Sequence, residues 1–357
     1  MRPPLGAGIR SLAVALPEAV RTNDYYRERF PAQYREAERR TVFKRTEVTE
    51  ARPGDPFAAA MARFADDPFR GTVERRVLGP GACSLDLEVP AARKALAAAG
   101  LRPEEVGLVI LTSFPGDRVG IGNSAFLSRA LGIKRPAWNL ESACSSANVA
   151  LQTASSLVSA GQYDTVLVVL SCTYSRSCDD ADPLTWFFGD GAGAFVVGRC
   201  PAGEGLLGVG SVSTVESCET WFFRVSDLDT QRIQIGCTEN TGRVLAATAA
   251  PYLRACCDEA AREAGVSLAD VDFFVFNAPT AWYVEFCART LGVDLAKTIN
   301  IHPQYGNIGP ALPVVGLYEA ARAGRLRRGD LVLTYTVGSV STASASVMRW
   351  GDVALGA

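Results

Sequence analysis

The chain has 357 residues, of which 48% are hydrophobic and 21% charged, with a formal net charge of −2. That balance fits a soluble globular protein with a large core and gives no electrostatic case for binding nucleic acid or an anionic membrane. Met1-Arg-Pro-Pro-Leu-Gly6 lacks the apolar core of a secretion signal, and no apolar run reaches the roughly 18 residues of a membrane span, so a cytoplasmic location is expected.

The first 80 residues are charged and irregular, and Tyr25 to Arg45 is expected to form a helical, solvent-facing excursion. Regular patterning begins at Val89. Val89 to Gly100 is predicted helical with a glycine stop, and Val106 to Thr112 is a near-continuous apolar strand of the kind covered on both faces. Ser124–Leu131 is predicted helical, Ala137–Leu140 a short strand, and Ser145–Ala160 a helix of small and apolar residues. Thr165–Leu170 and Gly191–Val197 are predicted strands. The second half repeats this order. It has helix Ala255–Gly265, strand Val271–Phe276, helix Ala281–Leu291, short strand Thr298–Ile301, helix Pro313–Ala323, and strands Leu331–Thr336 and Ser341–Met348.

The repeat is in register with two polar residues. Cys144 and Asn307 are 163 residues apart (307 − 144), as are Gly161 and Gly324 at the ends of the helices that follow. Two fused α/β halves are therefore expected, with helices packed between two sheets and a site where the halves meet. The boundary falls between an N-terminal half, 1–200, and a C-terminal half, 201–357.

Ten cysteines and a single histidine, His302, offer no zinc-ligand spacing, and a chain this long without a secretion signal is a poor disulfide framework. No metal is expected, and most of the thiols should be small buried apolar groups. Cys144 differs in standing at the start of a helix. The helix N-terminus favours the thiolate, and its free N–H groups can hold an oxyanion when a thioester is attacked. The bland alternative is a buried cysteine with no chemical role. Phe187-Phe-Gly-Asp-Gly-Ala-Gly-Ala194 lacks the Lys-Ser/Thr of a phosphate loop and is expected to be a structural turn lining the Cys144 pocket. Asp190 is expected to hold that turn through backbone hydrogen bonds.

Taken together, Ala143-Cys144-Ser145, Phe188-Gly-Asp-Gly-Ala-Gly193, Tyr305-Gly-Asn307 and Arg328-Gly-Asp-Leu-Val-Leu333 resemble a ketoacyl-ACP synthase III-type enzyme of the thiolase superfamily. The resemblance runs from Leu16 to Trp350. It implies a thiolase fold, a duplicated five-layer αβαβα sandwich with two mixed sheets, usually a homodimer. It places the nucleophile on Cys144 and an asparagine on Asn307, with the oxyanion hole at Cys144, Gly338, Ser339 and Val340. An arginine for the coenzyme A phosphates falls on Arg40, with Lys44 and Arg45 nearby, and Phe188 and Gly120 fall on the substrate pocket. It implies no permanently bound cofactor, and a phosphopantetheine thioester of coenzyme A or acyl carrier protein as acyl donor.

The chain departs from the family where a catalytic histidine is expected, at Asn277. Asparagine donates a hydrogen bond there but takes no proton at ordinary pH. The loop Phe114–Ile121 is also expected to be longer than the family's usual one. His302 is a candidate replacement base, with Glu141 and Asp117 behind it. The leading expectation is an acyltransferase of a natural-product pathway that loads Cys144 and passes the acyl group to an O, N or S nucleophile on a small-molecule acceptor. The alternatives are a decarboxylative carbon–carbon condensing enzyme and a catalytically silent partner subunit.

Overall fold

The computed structural model describes residues 6–49, 56–118, 120–227, 232–339 and 341–357, with side chains described for all of these except 41–49 and 232. Its core is two mixed sheets. The first has six strands in the order Ala354–Leu355, Gly6–Ala15, Asp190–Cys200, Thr165–Thr173, Leu108–Phe114 and Ala137–Asn139. The second has four, Gly205–Ser213, Thr342–Arg349, Leu331–Val337 and Phe273–Phe276. Each sheet runs antiparallel through its first long strands and then parallel. The same strand order in both sheets is the duplication expressed in three dimensions.

Helices form the other three layers. Ser146–Ser159 and Leu312–Arg322 lie between the sheets, where Ala150, Ala154, Val158, Val314 and Leu317 pack with Ile110 and Val166 of one sheet and Val275 and Val332 of the other. Leu85–Ala98 and Ser124–Leu131 cover the outer face of the first sheet. Thr241–Glu263 and Tyr283–Leu291 cover that of the second. Runs such as Leu108–Leu111 are fully buried because helices cover both faces of their sheet. Each such aliphatic side chain contributes about 1.5–3 kcal/mol relative to exposure.

The amino-terminal region departs from expectation in one respect. Gly6–Ala15 is an interior strand with Leu12 and Ala13 fully buried, because its apolar residues fill the gap between the Asp190–Cys200 strand and the carboxyl-terminal strand. Helices Asn23–Arg29 and Pro31–Thr49 follow and are mostly solvent-facing through residue 40, as expected, with two buried exceptions. Tyr26 and Ala37 pack with the buried Phe69 and Trp186, and Arg75 lies 4.8 Å over the Tyr26 ring. The expected strand Thr298–Ile301 shrinks to a single bridge between Thr298 and Phe274. A hairpin that periodicity left unassigned, Trp221–Asp227 with Arg232–Cys237, stands over the Cys144 site.

Candidate active site

Cys144 lies in the single 3-10 turn Ala143–Ser145 that feeds the buried helix Ser146–Ser159. Ala143 takes a left-handed φ of 49°, a conformation costly for an L residue. Short polar side chains hold it. Glu141 Oε1 accepts the Ala143 N–H at 2.5 Å, Ser146 Oγ accepts the Ser142 N–H at 2.8 Å, and Ser146 Oγ donates to the Ala143 carbonyl at 2.8 Å. One turn on, Asn148 donates to the carbonyls of Thr334 and Ser344, fixing the helix against the second sheet. The nucleophile's backbone is thus positioned by both halves of the molecule.

Cys144 opens on a cavity of about 1560 Å³. Its wall carries many aromatic side chains, including Phe114, Tyr174, Phe188, Phe223 and Trp282. Tyr174 stacks on Phe188 with centroids 4.4 Å apart, and its hydroxyl is 3.8 Å from the Cys144 sulfur. The thiol does not show the lowered pKa expected at a helix start. Burial in this apolar wall pushes it up to about 11, against a smaller lowering from the Tyr174 hydrogen bond, and the carboxylate of Glu141 adds to the rise.

Asn277 follows the buried strand Phe273–Phe276 and is itself buried. Its Nδ2 donates to the carbonyls of Gly309, at 3.1 Å, and Cys144, at 3.4 Å. Both partners are acceptors, so the nitrogen must face them, and Oδ1 is left buried without a partner. The expected donor at this position is therefore spent on the main chain. Asn307 has the opposite orientation. Its Oδ1 accepts the Gly309 N–H at 2.9 Å, and its Nδ2 remains as a donor on the cavity wall.

The expected oxyanion hole is only partly available. The Gly338 N–H donates to the Thr342 carbonyl at 2.8 Å, closing a tight turn, so it is not free for a substrate. The amides of Cys144 and Ser339 have no carbonyl partner among the described residues, and both residues line the cavity. Val340 lies outside the described residues, as do the side chains of Lys44 and Arg45.

His302 is not a base for this site. It is fully buried, outside the cavity wall, with Nδ1 2.9 Å from the Ala278 carbonyl and Nε2 2.9 Å from Thr72 Oγ1. A carbonyl can only accept, so the proton is on Nδ1 and Nε2 takes the Thr72 hydrogen. Both nitrogens are committed, and burial lowers the pKa to about 4. Asp117 accepts from Ser84, Leu85 and Asn123 at the start of an outer helix. Asp190 pins Leu78 and Ser175 rather than its own glycines. Most of its glycine-rich run is strand, where Gly193 lets the helix Leu312–Arg322 close onto the sheet through Val314.

Arg40 lines the cavity and is ion-paired to Glu36 at 2.7 Å. Phe188 lines it as expected. Gly120 does not; it is exposed, with open space around it. A cation missed from sequence, Arg70, lies 4.8 Å over the Phe187 ring on the cavity wall and has no ion pair or side-chain hydrogen bond among the described residues. Nothing in its neighbourhood in sequence marks it, because Phe187 is far along the chain.

A family model described as 3-oxoacyl-[acyl-carrier-protein] synthase III matches residues 138–213, and its C-terminal counterpart matches residues 261–350. The beta-ketoacyl-[acyl-carrier-protein] synthase III of Rhodospirillum centenum is 32% identical over 285 residues, covering 78% of this chain and 88% of that protein. The chain belongs to the ketoacyl-ACP synthase III family. Solved structures agree on the thiolase fold. The synthase III of Pseudomonas aeruginosa superposes with a TM-score of 0.80 at 24% identity, covering 97% of this chain and 98% of that one. The priming beta-ketosynthase of a polyketide pathway gives 0.81 at 21% identity, covering 99% and 98%. OleA of Xanthomonas campestris, solved with lauric acid and lauroyl-CoA, gives 0.77 at 23% identity, covering 97% and 99%. As a synthase III family member the protein is an enzyme of the transferase class. Among the described residues, no helix is long and apolar enough to cross a membrane.

Proposed function

We propose that this synthase III family member is an acyltransferase. Cys144 takes an acyl group from a coenzyme A or acyl-carrier-protein thioester and passes it to an O, N or S nucleophile, in a natural-product pathway and as a homodimer. The observation that carries this reading is the state of Asn277. A decarboxylating site needs donors on the extender thioester carbonyl, and here the Asn277 Nδ2 is bound to the carbonyls of Cys144 and Gly309. Asn307 and the amides of Cys144 and Ser339 remain, enough to hold one oxyanion during acyl transfer. The cationic side chains of Arg40 and Arg70 on the cavity wall suit the phosphates of a phosphopantetheine donor. The aromatic walls suit an apolar acyl chain.

Intact-protein mass spectrometry tests the loading step. The protein is incubated with acyl-coenzyme A and acyl-carrier-protein donors, with Cys144→Ala as control. A donor-specific mass gain lost in the variant is expected. Carbon dioxide release from a malonyl thioester, coupled to carbon–carbon bond formation, would replace this reading with the condensing one.

A further inference from the structure

We propose that Glu141 takes the proton of an amine acceptor that attacks the acyl group on Cys144, an inference that rests on the transferase reading above. Glu141 is three residues before the nucleophile Cys144 and lines the same cavity. Its Oε1 is fixed by the Ala143 N–H at 2.5 Å, and among the described residues Oε2 has no partner. Its charge acts on the Cys144 thiol, whereas Asp117, Asp190 and His302 are committed elsewhere. Asn277 does not titrate, and its Nδ2 is committed to the carbonyls of Cys144 and Gly309, so it takes no proton.

This set selects the nucleophile. A carboxylate is far too weak a base to deprotonate an alcohol. A neutral amine attacks without prior deprotonation. The nitrogen forms a bond to the acyl carbon, whose oxygen becomes an oxyanion held by the Cys144 and Ser339 amides. The nitrogen now carries a positive charge, and its surplus proton passes to Glu141. Collapse breaks the carbon–sulfur bond, and the departing thiolate takes that proton back from Glu141. Amide and free thiol result, with no proton unaccounted for. The high proton affinity of the Cys144 thiol favours the last transfer.

The test uses full-length enzyme loaded with octanoyl-N-acetylcysteamine, freed of donor, and chased with n-butylamine, n-butanol or water. The adduct is followed by intact mass and the products by chromatography. N-butyl octanamide is expected from wild type, with little butyl ester. In Glu141→Gln, which can keep the Ala143 hydrogen bond, the amide-forming rate should drop on the order of 10²-fold. The ratio of amide to octanoic acid should drop with it, a change that a merely looser turn would not produce. Glu141→Asp should fall between the two, and it replaces the Gln variant if that one does not fold. An unchanged amide rate in both variants, or ester formed as fast as amide, would overturn the proposal while leaving acyl transfer standing. A wild-type Cys144 that never loads would overturn the transferase reading and this inference with it.

Discussion

The side-chain nitrogen of Asn277 lies 3.4 Å from the main-chain oxygen of Cys144 and points at that carbonyl, not at the sulfur. The residue thus ties down the nucleophile's backbone and does nothing to ionise its thiol. Histidine in the same place would offer a titrating ring. The geometry separates two properties that a Cys–His pair delivers together, a positioned sulfur and an activated one.

One consequence is slow alkylation. With a pKa of about 11, Cys144 is mostly thiol at neutral pH. Site-resolved iodoacetamide labelling should quicken about tenfold per pH unit from 7 to 10, with no plateau in that range. Tyr174→Phe removes the hydrogen bond that lowers the thiol pKa and should slow labelling by a few-fold more. A plateau below pH 8 would mean an activated thiolate in the resting enzyme.

Asn277→His should supply what is missing. An imidazolium beside the sulfur favours the thiolate, so labelling of Cys144 at pH 7 should rise by about tenfold or more. The substitution also removes the Gly309 and Cys144 hydrogen bonds and enlarges a buried side chain. A loss of stability of about 1–3 kcal/mol is therefore expected in denaturant titrations. Labelling unchanged in a folded variant would show that position 277 does not reach the sulfur.

Close packing of the two halves gives a third expectation. A Cβ at Gly193 would be 2.5 Å from Val314 Cγ1, in the layer between the sheets. Gly193→Ala should cost about 1–3 kcal/mol by overpacking, and Val314→Ala in the same chain should recover part of it. Gly161→Ala, with open space but a φ of 71°, should cost about 1 kcal/mol from backbone strain alone. Additive losses in the Gly193/Val314 pair would place the strain elsewhere.

Much of this was legible in sequence because it is periodic. The 163-residue offset of Cys144 and Asn307 reflects two copies of one unit, and buried strands such as Thr165–Thr173 show as unbroken apolar runs. The strand Gly6–Ala15 was missed because charged and irregular sequence follows it. The hairpin at Trp221 has alternating burial only at its start, so its signal is short. Long-range partnerships carry no sequence signal at all. His302 is held by Thr72, 230 residues away, and Cys144 has a raised pKa because distant aromatic residues bury it. The start of a helix favours a thiolate in general, but at Cys144 burial raises the pKa.

Two buried groups with opposite shifts make the last prediction. His302 has a folded pKa of about 4 against 6.5 in a model peptide. The unfolded chain therefore binds a proton that the fold refuses, and stability is lost as pH falls from 6.5 towards 4, by about 3 kcal/mol in all. Glu88 is raised from 4.5 to about 7 by burial, partly offset by hydrogen bonds from Ser113, Ser171 and Asn123. Here the fold binds the extra proton. Its stabilisation is complete below pH 4.5 and is lost as pH rises through 7, again by about 3 kcal/mol. Between pH 4.5 and 6.5 the two slopes oppose each other, so wild-type melting temperature should change little from this pair. His302→Gln should expose the Glu88 slope, with melting temperature falling as pH rises from 5 to 7. Glu88→Gln should expose the His302 slope, with melting temperature rising over the same interval. Parallel pH profiles in both variants would show that neither group is held in the protonation state its burial implies.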